Sequence, residues 1–266
     1  MNKYEIVDNK IDTIRKQQLS ILNNVVAICN KHELTYFLDG GTLAGAIIYG
    51  GFGKYDDDID ISMPRKDFEK FLVVCQDELL PNNYLEYYTT TADFSLTFAK
   101  VKNRLVNYPE KYRPNHALSH VFIDIFPLDG IRKDGGIKTS IIIFFNDIMK
   151  KMIFMRNSTK KKTGIKTVYM YLLRLIKTEY LFKIYYFLFA RESNSAYFTN
   201  HGGRRKERKN QVLKREYYFP VKKMLFMGSY YNVPFFPERA ITTCNKQYIN
   251  RYIEKKTFSH IDIERL

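Results

Sequence analysis

Four acids stand within five positions, Asp56, Asp57, Asp58 and Asp60, just downstream of the glycine-rich stretch LDGGTLAGAIIYGGFG. The run DDDIDISM places an apolar residue at alternate positions and reads as a strand over 56–63. On a strand, Asp56, Asp58 and Asp60 share one face and Asp57 takes the other. Neighbours on that face lie roughly 6.6 Å apart, so their carboxylates repel unless a cation lies between them. Oxygen ligands of this kind suit Mg²⁺ or Mn²⁺. Gly40 and Gly41 form a turn between an apolar strand and a short helix that opens at Thr42 as its N-cap. Backbone N–H groups in such a turn can approach a phosphate, so Gly40, Gly41 and Thr42 are the candidate phosphate cradle. A third acid, Asp124, sits among large apolar residues in FIDIF, where an ionised carboxylate without a partner is costly. A phosphate cradle beside clustered acids suits phosphoryl chemistry.

The flanking pattern supplies elements to hold these groups. Ile14, Gln18, Ile21, Val25 and Ile28 recur at spacings of four and three, giving a helix over 11–32. LTYFLD is a short buried strand ending at Asp39, and Pro64 opens a helix over 65–80 with Phe68, Phe71, Leu72 and Cys75 on one face. Two or three strands follow between 84 and 106, then a strand over 121–126 stopped by Pro127. Long helical runs occupy 137–191, a polar loop 200–216, a hairpin turning near Gly228, and a helix 238–254. The pattern divides into a catalytic core over 1–130, a basic helical lobe over 131–200, and a C-terminal part over 201–266 that completes the core.

The 266 residues carry a net charge of +15. That excess is local: residues 150–223 hold 20 Lys and Arg against 4 acids. Such a segment needs an anionic partner. On a helix through 165–191, Lys166, Arg174, Lys177 and Arg191 fall within an arc of roughly 100°. The expected partner is an anionic membrane surface touched by residues 150–223, with Lys160–Lys162 and the cations at 204–209 reaching its headgroups or the phosphates of an acceptor. The longest stretch without a charged residue is 14 residues, short of the ~18–20 of a spanning helix. Three scattered cysteines suit a reducing compartment. The expected location is cytoplasmic, peripheral on the inner face of the cell membrane. RNA-binding signatures are missing, so nucleic acid is not an expected partner. His116 and His120 have zinc-pair spacing, but Pro114 and the strand beside them favour a structural role.

The stretch from LDGG through DDDIDISMPRKDFEKF, followed by TFAKV and FIDIFPLDG, resembles the LicD family of phosphotransferases, with fukutin-related proteins as distant relatives. The resemblance implies an α+β fold: a nucleotidyltransferase-like mixed sheet with flanking helices, here with a basic helical lobe. It implies transfer of a phospho-alcohol or phospho-sugar group from a CDP-activated donor to a hydroxyl of a cell-surface glycan or its lipid-linked precursor. By matching positions, Asp58 and Asp60 become the principal metal ligands, Asp56 a supporting one, and Asp124 a metal ligand or base. Lys100 and Asp129 become site-proximal. Ile48, Lys54, Tyr55 and Met227 depart from the family pattern. Two other classes remain open at this point: a nucleotidyltransferase that releases pyrophosphate, and a non-catalytic basic module that binds membrane or nucleic acid.

Overall fold

A computed structural model describes residues 3–92, 94–110, 119–131, 137–157, 164–190, 195–200, 212–243 and 246–262. His116, Lys160–Lys162, Arg191, the cations at 204–209 and Cys244 lie outside these. The chain runs α1 (Lys3–Lys31), β1 (Phe37–Leu38), α2 (Gly40–Tyr49), β2 (Asp60–Pro64), α3 (Arg65–Glu78), β3 (Asn83–Glu86), β4 (Ala99–Asn107) and β5 (His120–Ile131). Three helices follow, α4 (Ile137–Arg156), α5 (Ile165–Arg174) and α6 (Thr178–Phe189), then β6 (Tyr197–Asn200) and β7 (Leu213–Lys214). A hairpin of β8 (Lys222–Phe226) and β9 (Ser229–Val233) leads to short helices α7 (Pro237–Thr242) and α8 (Tyr248–Ile253). The molecule is α+β, with a mixed sheet flanked by helices.

The sheet is ordered β1-β2-β5-β4-β3, with β2 and β5 parallel and the other neighbours antiparallel. β5 is central because Val121, Phe122, Ile123 and Ile125 are apolar on both faces, and all four are buried. α1 buries Ile14, Ile21, Val25 and Ile28 against β4 and β5, as its spacing predicts. α3 buries Phe68, Phe71 and Cys75.

Several boundaries differ from the sequence expectation. β5 runs through Pro127 rather than stopping before it. Asp124 N–H points to β2, donating to Ile59 O, so by alternation residue 127 faces the other edge. There β4 ends opposite Ile125 and β6 begins opposite Leu128, so no partner needs the missing N–H. α2 begins at Gly40, with Asp39 as N-cap in place of Thr42; Asp39 Oδ1 accepts from Gly40 N–H at 2.8 Å. β2 begins at Asp60, so residues 56–59 are an irregular approach and not part of the strand. The expected helix 165–191 is two helices. Arg156 Nε donates to Ile176 O at 2.8 Å, satisfying a carbonyl where α5 ends, and the extended Lys177 separates α5 from α6. The 238–254 helix is likewise two short helices.

Candidate active site

Parallel pairing sets Asp60 directly opposite Asp124, and antiparallel pairing sets Lys100 opposite Asp124 and Glu86 opposite Lys100. Opposed residues share a sheet face, so a row of ionisable side chains crosses four strands. Asp58, two residues before Asp60 in the approach segment, joins its end. Asp58, Asp60 and Asp124 each offer a carboxylate oxygen within 4.8 Å of the others. This is the trio that the sequence singled out.

The charges in the row are not balanced where the acids meet. Lys100 Nζ is 2.7 Å from Asp124 Oδ1 and 3.5 Å from Glu110, and Lys102 lies between Glu86 and Glu110. Burial, then the charges of Asp58 and Asp124, hold the Asp60 carboxyl well above the usual carboxylate range. Burial raises Asp124 as well, against the pull of Lys100. Burial and Asp58 push Asp56 up to about 7 despite Lys255 and Tyr252. Among the described residues, the neighbouring cations do not offset the burial and mutual repulsion of these acids. Their oxygens form a hard donor set that fits a divalent cation, and Asp58, Asp60 and Asp124 could hold one.

The glycine turn lies against these same acids. A Cβ on Gly40 would fall 2.3 Å from Asp60 Oδ2, and one on Gly41 would fall 2.8 Å from Asp56 Oδ1. Gly40 also has a φ of +52°. Thr42 Oγ1 accepts from Asp60 N–H at 2.8 Å, and Asp39 N–H donates to Asp60 O at 3.0 Å. The helix start and the first acid of β2 are therefore one rigid unit. Thr42 holds Asp60 by its side chain instead of capping the helix.

Two expected site residues are placed differently. Asp56 stands apart from the three-acid group; its carboxylate accepts from Tyr252 OH at 2.9 Å and lies 3.5 Å from Lys255. Asp129 is fully buried and takes a two-pronged pair from Arg65, both bonds 2.7 Å, which ties α3 to β5. That gives Asp129 a packing role away from the trio. His120 Nδ1 bonds Tyr84 OH at 2.9 Å.

Sequence reasoning missed the residues that brace the acid loop from afar. Arg15 on α1 donates to the carbonyls of Gly53, Lys54 and Asp56. Gln18 and Tyr108 donate to Asp57 O. Asp57 accepts from the N–H groups of Ser259, His260 and Ile261. His260 Nδ1 is 2.8 Å from Asp58 Oδ2. Burial pulls the imidazole down, but Asp58 and Asp57 outweigh it and push it up to about 11. The buried Gln18 within the apolar stripe of α1 was a signal available in the sequence; His260 gave none. Of the departures from the family pattern, Met227 N–H donates to Gly50 O at 2.8 Å, docking the β8–β9 turn on the glycine segment. Ile48 packs on the core, and Lys54 Nζ lies over the Tyr55 ring.

The domain family described as LicD/FKTN/FKRP, nucleotidyltransferase domain, matches residues 33–165. The chain belongs to the LicD family. Over 126 residues it is 32% identical to lipopolysaccharide cholinephosphotransferase LicD of Haemophilus influenzae, a stretch covering 45% of each protein. The chain thus aligns with less than half of that LicD protein. The LicD match takes in Gly40, Gly41, Thr42, the acid loop, Lys100, Asp124 and Asp129. It ends before Tyr252, Lys255 and His260, which reach the acids from outside it.

Proposed function

We propose that this LicD-family chain transfers a phosphocholine, glycerol-phosphate or ribitol-phosphate type of group from a CDP-activated donor to a hydroxyl of a cell-surface glycan or its lipid-linked precursor. The convergence of Asp58, Asp60 and Asp124 beside the α2 start carries this reading. The name of the Haemophilus relative supports its substrate class. The work takes place on the cytoplasmic side, at the inner face of the membrane.

Asp58 and Asp60 would hold a magnesium or manganese ion, with Asp124 closing the donor set. When bound, such an ion neutralises charge on the donor diphosphate and on the departing CMP. In the first turn of α2, Gly40 N–H is taken by Asp39 Oδ1, and the N–H groups of Gly41 and Thr42 would meet a donor phosphate and fix its position. The acceptor oxygen attacks phosphorus as its proton passes to water and the bond to CMP breaks, while the Asp124 carboxylate stays in the donor set. Lys100 holds that carboxylate in place through the 2.7 Å pair.

The test is the leaving product. CDP-choline, CDP-glycerol or CDP-ribitol, offered with Mg²⁺ and acceptor glycan, releases CMP, and Asp58→Asn and Asp60→Asn each abolish the release. Pyrophosphate release from a nucleoside triphosphate instead makes the chain a nucleotidyltransferase, and full activity in both variants removes the site assignment.

A further inference from the structure

Surface helices normally turn their apolar side chains inward. α4 reverses this. Thr139, Asn146 and Asp147 are buried on its inner side with Ile143, Met149 and Ile153. Ile137, Ile141, Phe144 and Phe145, at helical spacings of three and four, face solvent, and Ile137 is 81% exposed. α4 packs on both α5 and α6, and these continue the pattern. Tyr171 and Leu172 of α5 are exposed, as are Tyr180 and Phe187 of α6, with Phe187 85% exposed. Large apolar side chains exposed on three neighbouring helices point to an interaction site.

Charge identifies the partner. Between residues 137 and 190 the sequence holds 11 Lys and Arg against two acids, Asp147 and Glu179, and Asp147 is buried. Lys151, Arg174, Lys177 and Lys183 are exposed among the apolar side chains. A second copy of the chain would bring one cationic lobe against another. Nucleic acid would take the cations but leave Ile137, Ile141 and Phe187 in water. A lipid surface with anionic headgroups accepts both kinds of side chain. No helix among the described residues is long and apolar enough to cross a membrane.

We propose that α4, α5 and α6 dock on an anionic phospholipid bilayer, with the outward side chains of Ile137, Ile141, Phe144, Phe145 and Phe187 entering the boundary between headgroups and acyl chains. The contact needs both these apolar side chains and the lysines and arginines around them, which meet lipid phosphates. It does not depend on the reaction proposed above.

Flotation of the full chain with vesicles tests it. The chain floats with mixed phosphatidylglycerol–phosphatidylcholine vesicles, less so at high salt, and not with phosphatidylcholine alone. Phe144→Ser/Phe187→Ser, which removes apolar reach without adding charge, floats roughly tenfold less. Its circular dichroism and melting temperature match the parent, because both side chains are exposed. The proposal fails if the parent does not float, or if the double variant floats as well as the parent. It also fails if sedimentation shows a dimer that the double variant dissolves while vesicles capture neither form. A salt-sensitive gel shift with DNA or RNA, in the absence of flotation, assigns the lobe to nucleic acid and overturns it too.

Discussion

Asp57 accepts from the backbone N–H groups of Ser259, His260 and Ile261 at 3.3, 2.8 and 2.8 Å, while its neighbour Asp58 belongs to the three-acid group. Adjacent aspartates therefore have separable effects. Asp57→Asn leaves buried donors with a weaker acceptor and costs about 1–3 kcal/mol of stability by urea denaturation. Asp58→Asn relieves the repulsion on Asp56 and Asp60 but takes away the carboxylate paired with His260 at 2.8 Å, so its signature is loss of activity and not a gain in stability. The pH dependence follows the same division. Burial raises the Asp57 carboxyl, but the hydrogen bonds and charge of His260 and the N–H of Ile261 outweigh it and bring the group down to about 2. The unfolded value is about 3.9. The stabilisation is complete above about pH 4 and disappears as pH falls through about 2. Acid unfolding of the parent should steepen over that interval, and that of Asp57→Asn should not.

At the scale of elements, the α2 start and the acid loop are fitted to each other, which distinguishes glycines that look alike in sequence. Gly40→Ala meets both a left-handed backbone and Asp60 Oδ2 at 2.3 Å, so it should cost stability and displace the acid, abolishing CMP release. Gly50→Ala at φ +62° finds open space; it should cost only about 1 kcal/mol with activity retained. Asp129→Asn leaves the Arg65 guanidinium buried against a neutral partner and should destabilise by about 3–5 kcal/mol without selectively removing donor binding. The α1 stripe, β5 and the hairpin were legible because each rests on local periodicity, and Asp124 because an acid there is costly; Asp58 and Asp60 were picked out by the LicD resemblance, since the alternation expected over 56–59 is absent. The continuation of β5 through Pro127 was not, because it depends on where β4 and β6 end. Nor was the break after Arg174, where no glycine or proline stands and the capping group, Arg156, comes from another helix. Asp129 shows the converse: its position matched a motif, but its partner Arg65 lies 64 residues away in sequence.

Across the whole molecule, the acid loop is enclosed by α1 through Arg15 and Gln18, by Tyr108 just after β4, and by the C-terminal segment through Tyr252, Lys255 and His260. No local sequence pattern could show that enclosure, because its parts converge only in the folded chain. The core reports on the fold as a unit. Burial pushes the Cys75 thiol up to about 12 and raises Cys29 further. Both should resist alkylation at pH 8 until the protein unfolds globally, as followed by peptide mass spectrometry. The claim beneath the functional reading is that Asp58, Asp60 and Asp124 act together on one divalent cation. Mn²⁺ binding followed by electron paramagnetic resonance tests it directly. The parent should bind one ion tightly, and Asp58→Asn, Asp60→Asn and Asp124→Asn should each weaken that binding by at least roughly tenfold. Unchanged Mn²⁺ affinity in Asp124→Asn would contradict the account.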